Sequence, residues 1–293
     1  MKKIILIILS LPCLAHAKLQ VATTTTDLAA LVRAVGADRV EVFSIAKGTE
    51  DPHGVAAKPS FMVKLRSADL VIAHGLELES AWLQPLIQGS RSQKLQVFEI
   101  AAGLDPIEIP TGNISRAEGD VHPGGNPHFQ LDPVRLGKAA ILISDRLAAL
   151  SASDKDFFAK NALGFQKLIN DRLKSWKERL KKTGVTEAVT YHKTFSYFCD
   201  RFEIKCDLQL EPKPGIPPTA SHLISVIDQM KKRKIKLVLI ENLYEDVVGQ
   251  KIKVGVPDAV IKRLPVSVDG ESGLDTNEKL IERIVKAIEE GSR

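Results

Sequence analysis

Between Asp154 and Lys182 the apolar residues Phe158, Phe165, Ile169, Leu173, Trp176 and Leu180 recur every three, four or seven positions. That spacing predicts one continuous amphipathic helix, closed by Gly184 after a run of lysines. At 1.5 Å per residue its roughly 28 residues reach about 40 Å, enough to traverse two lobes. Short β-rich runs alternate with helical patterns on both sides of it. Upstream the strands are Leu19 to Thr23, Val40 to Ile45, Leu70 to Ala73 and Leu95 to Ile100. Helices are expected from Asp27 to Val35, from Ser60 to before Asp69, and from Glu79 to Ile87. Downstream, strands at Ala188 to Thr190, Cys206 to Leu210, Lys236 to Ile240 and Val260 to Leu264 alternate with further helices. Helices beginning at Thr194, Ser221, Glu245 and Asn277 complete that half. Such an order implies an α/β protein of two (βα)4-type lobes, each a parallel sheet covered by helices.

The ends set the remaining boundaries. Lys2 and Lys3, the apolar run Ile4 to Leu14, and Ala15-His16-Ala17 have the form of a cleavable export signal. Residues 1–17 are therefore expected to be removed, leaving lobes at 18–152 and 184–293 and a connecting helix at 153–183. The mature protein is expected in the periplasm. Pro12 stands before Cys13 where a lipid-anchoring signal wants a small residue, so lipidation is not expected. Loss of the leader lowers the formal charge from +5 to +3. The basic residues are scattered rather than striped, which argues against nucleic acid as a partner. A monomer is expected. Cys199 and Cys206 remain in an oxidising compartment. A disulfide stapling a helix end to a strand start is favoured there over a metal pair, whose usual spacings do not include seven.

Seven histidines occur in the chain, and three of them sit in loops that lead into helices. His53 and His128 share a frame, Asp51-Pro52-His53 and Asn126-Pro127-His128, and His192 lies two residues beyond the strand ending at Thr190. In open α/β sheets, ligands bind beyond the carboxyl ends of the strands, in the crevice between halves. Three neutral imidazoles and one carboxylate would make a closed tetrahedral shell for zinc. Glu241, directly after the strand ending at Ile240, is the first choice for the carboxylate, and Asp269 is its substitute. Asp51 is read as a turn carboxylate able to orient an imidazole through its second N–H. His122 lies in a Gly/Pro-rich loop and is expected to be solvated, at most meeting metal near the entrance. His74 and His222 are expected to be structural. The stiff segment Glu211 to Thr219 is expected to shape the cleft rim without chemistry of its own.

Several motifs resemble the bacterial solute-binding protein 9 family. They are Asp51-Pro52-His53 followed by Pro59-Ser60, Ala68-Asp69-Leu70-Val71, and Gly75-Leu76-Glu77. The likeness extends to Asn126-Pro127-His128-Phe129 with Leu131-Asp132-Pro133, and to Tyr191-His192-Lys193 with Phe195, Tyr197-Phe198 and Arg201-Phe202. The resemblance implies a periplasmic receptor that hands Zn²⁺ or Mn²⁺ to the permease of an ABC importer in the inner membrane. Many members of that family carry a metal-binding aspartate in the last strand-to-helix loop, where this chain reads Leu264 to Gly270. Three nitrogens and one oxygen suit zinc, whereas two carboxylates would favour manganese. Two alternatives keep the histidines but change the function. A secreted zinc hydrolase would need an open coordination position and a general base, and no His-Glu-x-x-His helix is present. A receptor for another metal or a chelated metal would keep the same fold.

Overall fold

Strand β1 (Leu19–Thr23) lies in register between β2 (Val40–Ser44) and β3 (Leu70–Ala73), and β3 in turn pairs with β4 (Gln96–Glu99), all in parallel. The computed structural model describes residues 17–112 and 119–292, so nearly all of the expected leader, with Cys13, lies outside the described residues. A second sheet repeats the pattern in the other half. β5 (Glu187–Thr190) sits between β6 (Lys205–Gln209) and β7 (Leu237–Glu241), and β8 (Val260–Leu264) closes the far edge. The orders are β2-β1-β3-β4 and β6-β5-β7-β8, so the fold is α/β with two parallel four-stranded sheets. The central strands β3 and β7 are buried at every position, as parallel strands covered on both faces must be.

Helices α1 (Thr26–Gly36), α2 (Pro59–Ser67) and α3 (Leu83–Ser90) accompany the first sheet. α6 (Ser196–Phe202), α7 (Ala220–Arg233), α8 (Val247–Gly255) and α9 (Asn277–Gly291) accompany the second. Between the sheets run α4 (Pro133–Leu150) and the 29-residue α5 (Lys155–Thr183), the latter stopped by Gly184 in the left-handed conformation. α4 starts where Asp132 accepts from the backbone N–H of Val134. The third helix begins four residues later than its apolar pattern suggests, because Glu79 is taken out of helical geometry. Its carboxylate instead accepts from Thr24 Oγ1 and from the N–H groups of His74 and Gly75.

The two halves share one core. Leu28 and Leu31 of α1, Phe158, Ile169 and Trp176 of α5, and Ile281 and Ile284 of α9 belong to a single buried cluster. Trp176 Nε1 donates to Glu282 at 2.7 Å, and Arg179 bonds both Glu282 and Glu289, fixing α5 to α9. Across the lobes, Arg201 of α6 makes two hydrogen bonds of 2.8 and 2.9 Å to the buried Asp132. Exposing even four large apolar side chains costs about 6–12 kcal/mol. A shared core therefore opposes wide hinge opening and leaves small lobe tilts as the accessible motion.

Candidate metal centre

The Asx-Pro-His frame has a common physical basis in both places. Asp51 Oδ1 accepts from His53 N at 3.0 Å, and Asn126 Oδ1 accepts from His128 N at 2.9 Å. Each side chain closes a tight turn that lifts its histidine out of the loop. Trp82 Nε1 donates to Pro52 O at 2.8 Å, holding the first turn against the lobe. The third histidine follows β5, and its neighbour Tyr191 stacks on Tyr244 with ring centroids 3.9 Å apart.

These loops bring the three imidazoles together at the interlobe crevice. Ring centroids are 5.1 Å apart for His53 and His128, 5.5 Å for His53 and His192, and 5.3 Å for His128 and His192. One ligand nitrogen from each lies within 4.8 Å of the others. Around zinc with bonds of about 2.0–2.1 Å, tetrahedral nitrogens stand about 3.3 Å apart, so each ring need close by less than about 1 Å. The outward nitrogens of two rings are occupied. His53 Nδ1 is 2.7 Å from Asp51 Oδ1, and His192 Nδ1 is 2.7 Å from Glu211 Oε2. That leaves Nε2 of both for an ion. Nε2 of His53 and of His128 is buried without a hydrogen-bond partner, an arrangement that is costly unless a ligand supplies one.

A cavity of about 20 Å³ adjoins the group, lined by His53, His128 and His192 together with Glu241, Thr194 and Ser267. It holds one water-sized species, not a chelate. Glu241 is 1 % exposed, and neither carboxylate oxygen has a partner of good geometry, though the Thr194 hydroxyl is near. Burial pushes its pKa up to about 7, partly offset by His192. Burial also holds His128 well below the ordinary histidine value, reinforced by repulsion from His53 and His192. For His192 burial acts in the same downward sense, but the hydrogen bond and charge of Glu211 outweigh it and the pKa is raised. Asp51 is lowered despite burial, through His53.

Three placements differ from the expectations. His122 is half-buried rather than freely solvated: its ring stacks on His53 at 5.5 Å, and its Nε2 is buried without a partner. The loop is folded back because Asp120 N donates to Pro214 O of the opposite lobe and Gly125 N to His122 O. Burial, with repulsion from His53, lowers the His122 pKa to about 4. Glu211 is no inert part of the cleft rim, since it is buried against His192. Its signal in the sequence was its place directly after the strand expected at Cys206 to Leu210, as Glu241 directly follows the strand expected at Lys236 to Ile240. Asp269 is exposed, with φ +60°, and its N–H is used by Leu274 O. Val266 and Ser267 line the cavity, and the turn at Val268–Asp269, with Asp269 in the left-handed region, takes the aspartate away from it. Cys199 and Cys206 form a disulfide.

The model of a family described as zinc-uptake complex component A, periplasmic (ZnuA), matches residues 21–291. The zinc-binding lipoprotein AdcA of Streptococcus pneumoniae is 27% identical over 257 residues, which cover 82% of this chain and 50% of AdcA. The manganese ABC transporter substrate-binding lipoprotein PsaA of Streptococcus anginosus is 23% identical over 235 residues, covering 78% of this chain and 74% of its own. A crystal structure of ZnuA superposes with a TM-score of 0.79 at 20% identity, over 93% of this chain and all of that one. Fold and site together define an extracytoplasmic metal-binding receptor of an ABC importer rather than an enzyme. The chain belongs to the ZnuA family.

Proposed function

We propose that the protein binds one Zn²⁺ as cargo through Nε2 of His53, His128 and His192, with Glu241 as the fourth ligand, and delivers it to an ABC permease. The observation that carries this reading is the three imidazoles at mutual ring distances of 5.1–5.5 Å. Their donor set is nitrogen-rich, which favours zinc over manganese. The small volume beside them supports a bare ion over a chelated one. AdcA, by name a zinc binder, and PsaA, by name a manganese transporter, are both relatives, so the choice between the metals rests on the donor set. Metal analysis of protein offered zinc and manganese together tests it: one equivalent of zinc is expected, and a manganese-loaded protein overturns the assignment.

A second reading exchanges the fourth ligand. His122 presents a buried, unpartnered Nε2 beside His53, and could close the shell from the solvent side. Glu241→Gln and His122→Ala separate the two. The variant with the larger loss of zinc affinity identifies the ligand. Maturation has two routes, cleavage after Ala17 or lipidation of Cys13, and lipoproteins among the relatives support the second. Pro12 before the cysteine supports cleavage, which is our reading. The mass of the mature N-terminus decides.

A further inference from the structure

His74 directly follows β3, is 1 % exposed, and is not one of the three grouped imidazoles. Both its ring nitrogens are engaged. Nδ1 lies 3.0 Å from Pro127 O, and Nε2 lies 3.0 Å from Thr25 Oγ1. A carbonyl can only accept, so Nδ1 carries the proton and Nε2 accepts from the threonine hydroxyl. The ring also packs on Phe129, with centroids 4.8 Å apart. Pro127 and Phe129 are the two chain neighbours of His128, so a single side chain grips the backbone before that histidine and the ring after it.

The grip is itself anchored. Glu79 accepts from His74 N at 2.8 Å, from Gly75 N at 3.0 Å and from Thr24 Oγ1 at 2.6 Å. Thr24 and Thr25 follow β1, and His74 follows β3, so the chain of contacts begins on the two central strands of the first sheet. From there it reaches a loop with no regular structure of its own. Loops place ligands well only when a rigid element holds them, and tolerances at metal sites are near 0.5 Å.

We infer that His74 is a positioning residue for metal binding, holding the Pro127–Phe129 segment so that Nε2 of His128 faces His53 and His192. The inference rests on the metal reading above. Replacing His74 by Leu removes the one donor that ties Pro127 O to the first sheet, leaving it only the local N–H of Phe129, and frees the segment to turn. Replacement by Asn restores an N–H close to the Nδ1 position. Gln keeps an amide in the cavity but carries its N–H one bond further out.

The test is competition titration with Zn²⁺ on the wild type and on His74→Leu, His74→Asn, His74→Gln and His192→Ala, alongside the melting temperature of each metal-free protein. His74→Leu is expected to weaken zinc binding about 10–100-fold, the range seen when residues behind metal ligands are removed. His74→Asn is expected to recover most of that loss and His74→Gln little, at similar melting temperatures. Equal zinc affinity across the folded His74 variants, with only the melting temperature lowered, overturns the inference and assigns His74 a purely structural part. Should His74→Leu fail to fold, the Asn and Gln pair decides, and equal affinities overturn it. A wild type that binds no zinc, or one matched by His192→Ala, removes the metal reading itself.

Discussion

The Nδ1 atom of His192 stands 2.7 Å from Glu211 Oε2, and both side chains are 5 % exposed. Each residue lies two positions beyond the end of its strand, and Thr190 pairs with Gln209, so the register of β5 with β6 sets their separation. A carboxylate behind a metal-facing imidazole fixes its tautomer and raises its basicity. Glu211→Gln keeps the shape and removes the charge. Its zinc affinity is expected to fall about 10–100-fold at pH 8. The deficit should shrink near pH 6, because the same carboxylate that strengthens His192 toward metal also strengthens it toward protons. Calorimetric competition at the two pH values checks this, and a loss independent of pH would place the effect of Glu211 in packing alone.

Zinc affinity should fall as pH drops from 8 to 6. Metal must displace a proton from any ligand that holds one. His128 lies well below the ordinary histidine value, chiefly through burial, and is already neutral throughout this window. His192 lies above that value, burial being outweighed by Glu211, and Glu241 titrates at about 7. Two protons are therefore available for release, and the slope of log affinity against pH should lie between about one and two near pH 7. A flat profile between pH 6 and pH 8 would remove both groups from the site.

The metal-free protein should lose stability as pH rises from about 5 to about 7. Asp27 of α1 accepts from Val268 N at 2.9 Å and is 1 % exposed, which ties the first lobe to the last loop of the second. Burial pushes its pKa up from 3.8 to about 7. The folded state therefore holds a proton that the unfolded chain has released, and stability declines as pH rises from the unfolded value toward the folded one and levels off above it. Each such group contributes a slope of order 1.4 kcal/mol per pH unit below its folded pKa. His192, also raised, adds in the same direction as pH passes its folded value. Asp27→Asn keeps the acceptor for Val268 and removes the proton. Its unfolding free energy, measured by denaturant titration at about pH 5, 6 and 7, should vary less with pH than the wild type's.

The strands and the long helix were legible because their signals are local. Leu70–Ala73 and Leu237–Ile240 are uninterrupted apolar runs, and the period of Phe158 to Leu180 needs no tertiary information. His53 and His128 could be singled out because Asp51 and Asn126 act on the next two residues of the same chain. What stayed hidden depends on contacts distant in sequence. Glu79 reads as helix by pattern but is claimed by Thr24, 55 residues away. His122 reads as solvated loop until Asp120 meets Pro214 across the cleft. Glu211 shows its role only once the sheet sets it beside His192, and Asp269 is turned out by a left-handed turn closed by its N–H bond to Leu274 O.

Reducing the disulfide should cost stability without costing much metal affinity. Cys199 on α6 and Cys206 on β6 close a loop of seven residues' separation. Cross-linking so short a loop restrains the unfolded chain by about 2–3 kcal/mol. In a protein of this size that corresponds to roughly 4–10 °C in melting temperature. The helix it staples stands next to the His192 loop, and Tyr197 on that helix donates to Asn126 O at 2.6 Å. Yet α6 has other anchors, for Phe198 and Phe202 are buried in the shared core and Arg201 bonds Asp132. Cys199→Ser with Cys206→Ser should therefore melt lower in the metal-free form while zinc affinity changes less than about threefold, or about 0.65 kcal/mol. A tenfold loss of affinity in the doubly substituted protein, still folded at the assay temperature, would show that the staple holds His192 in place as well as stabilising its lobe.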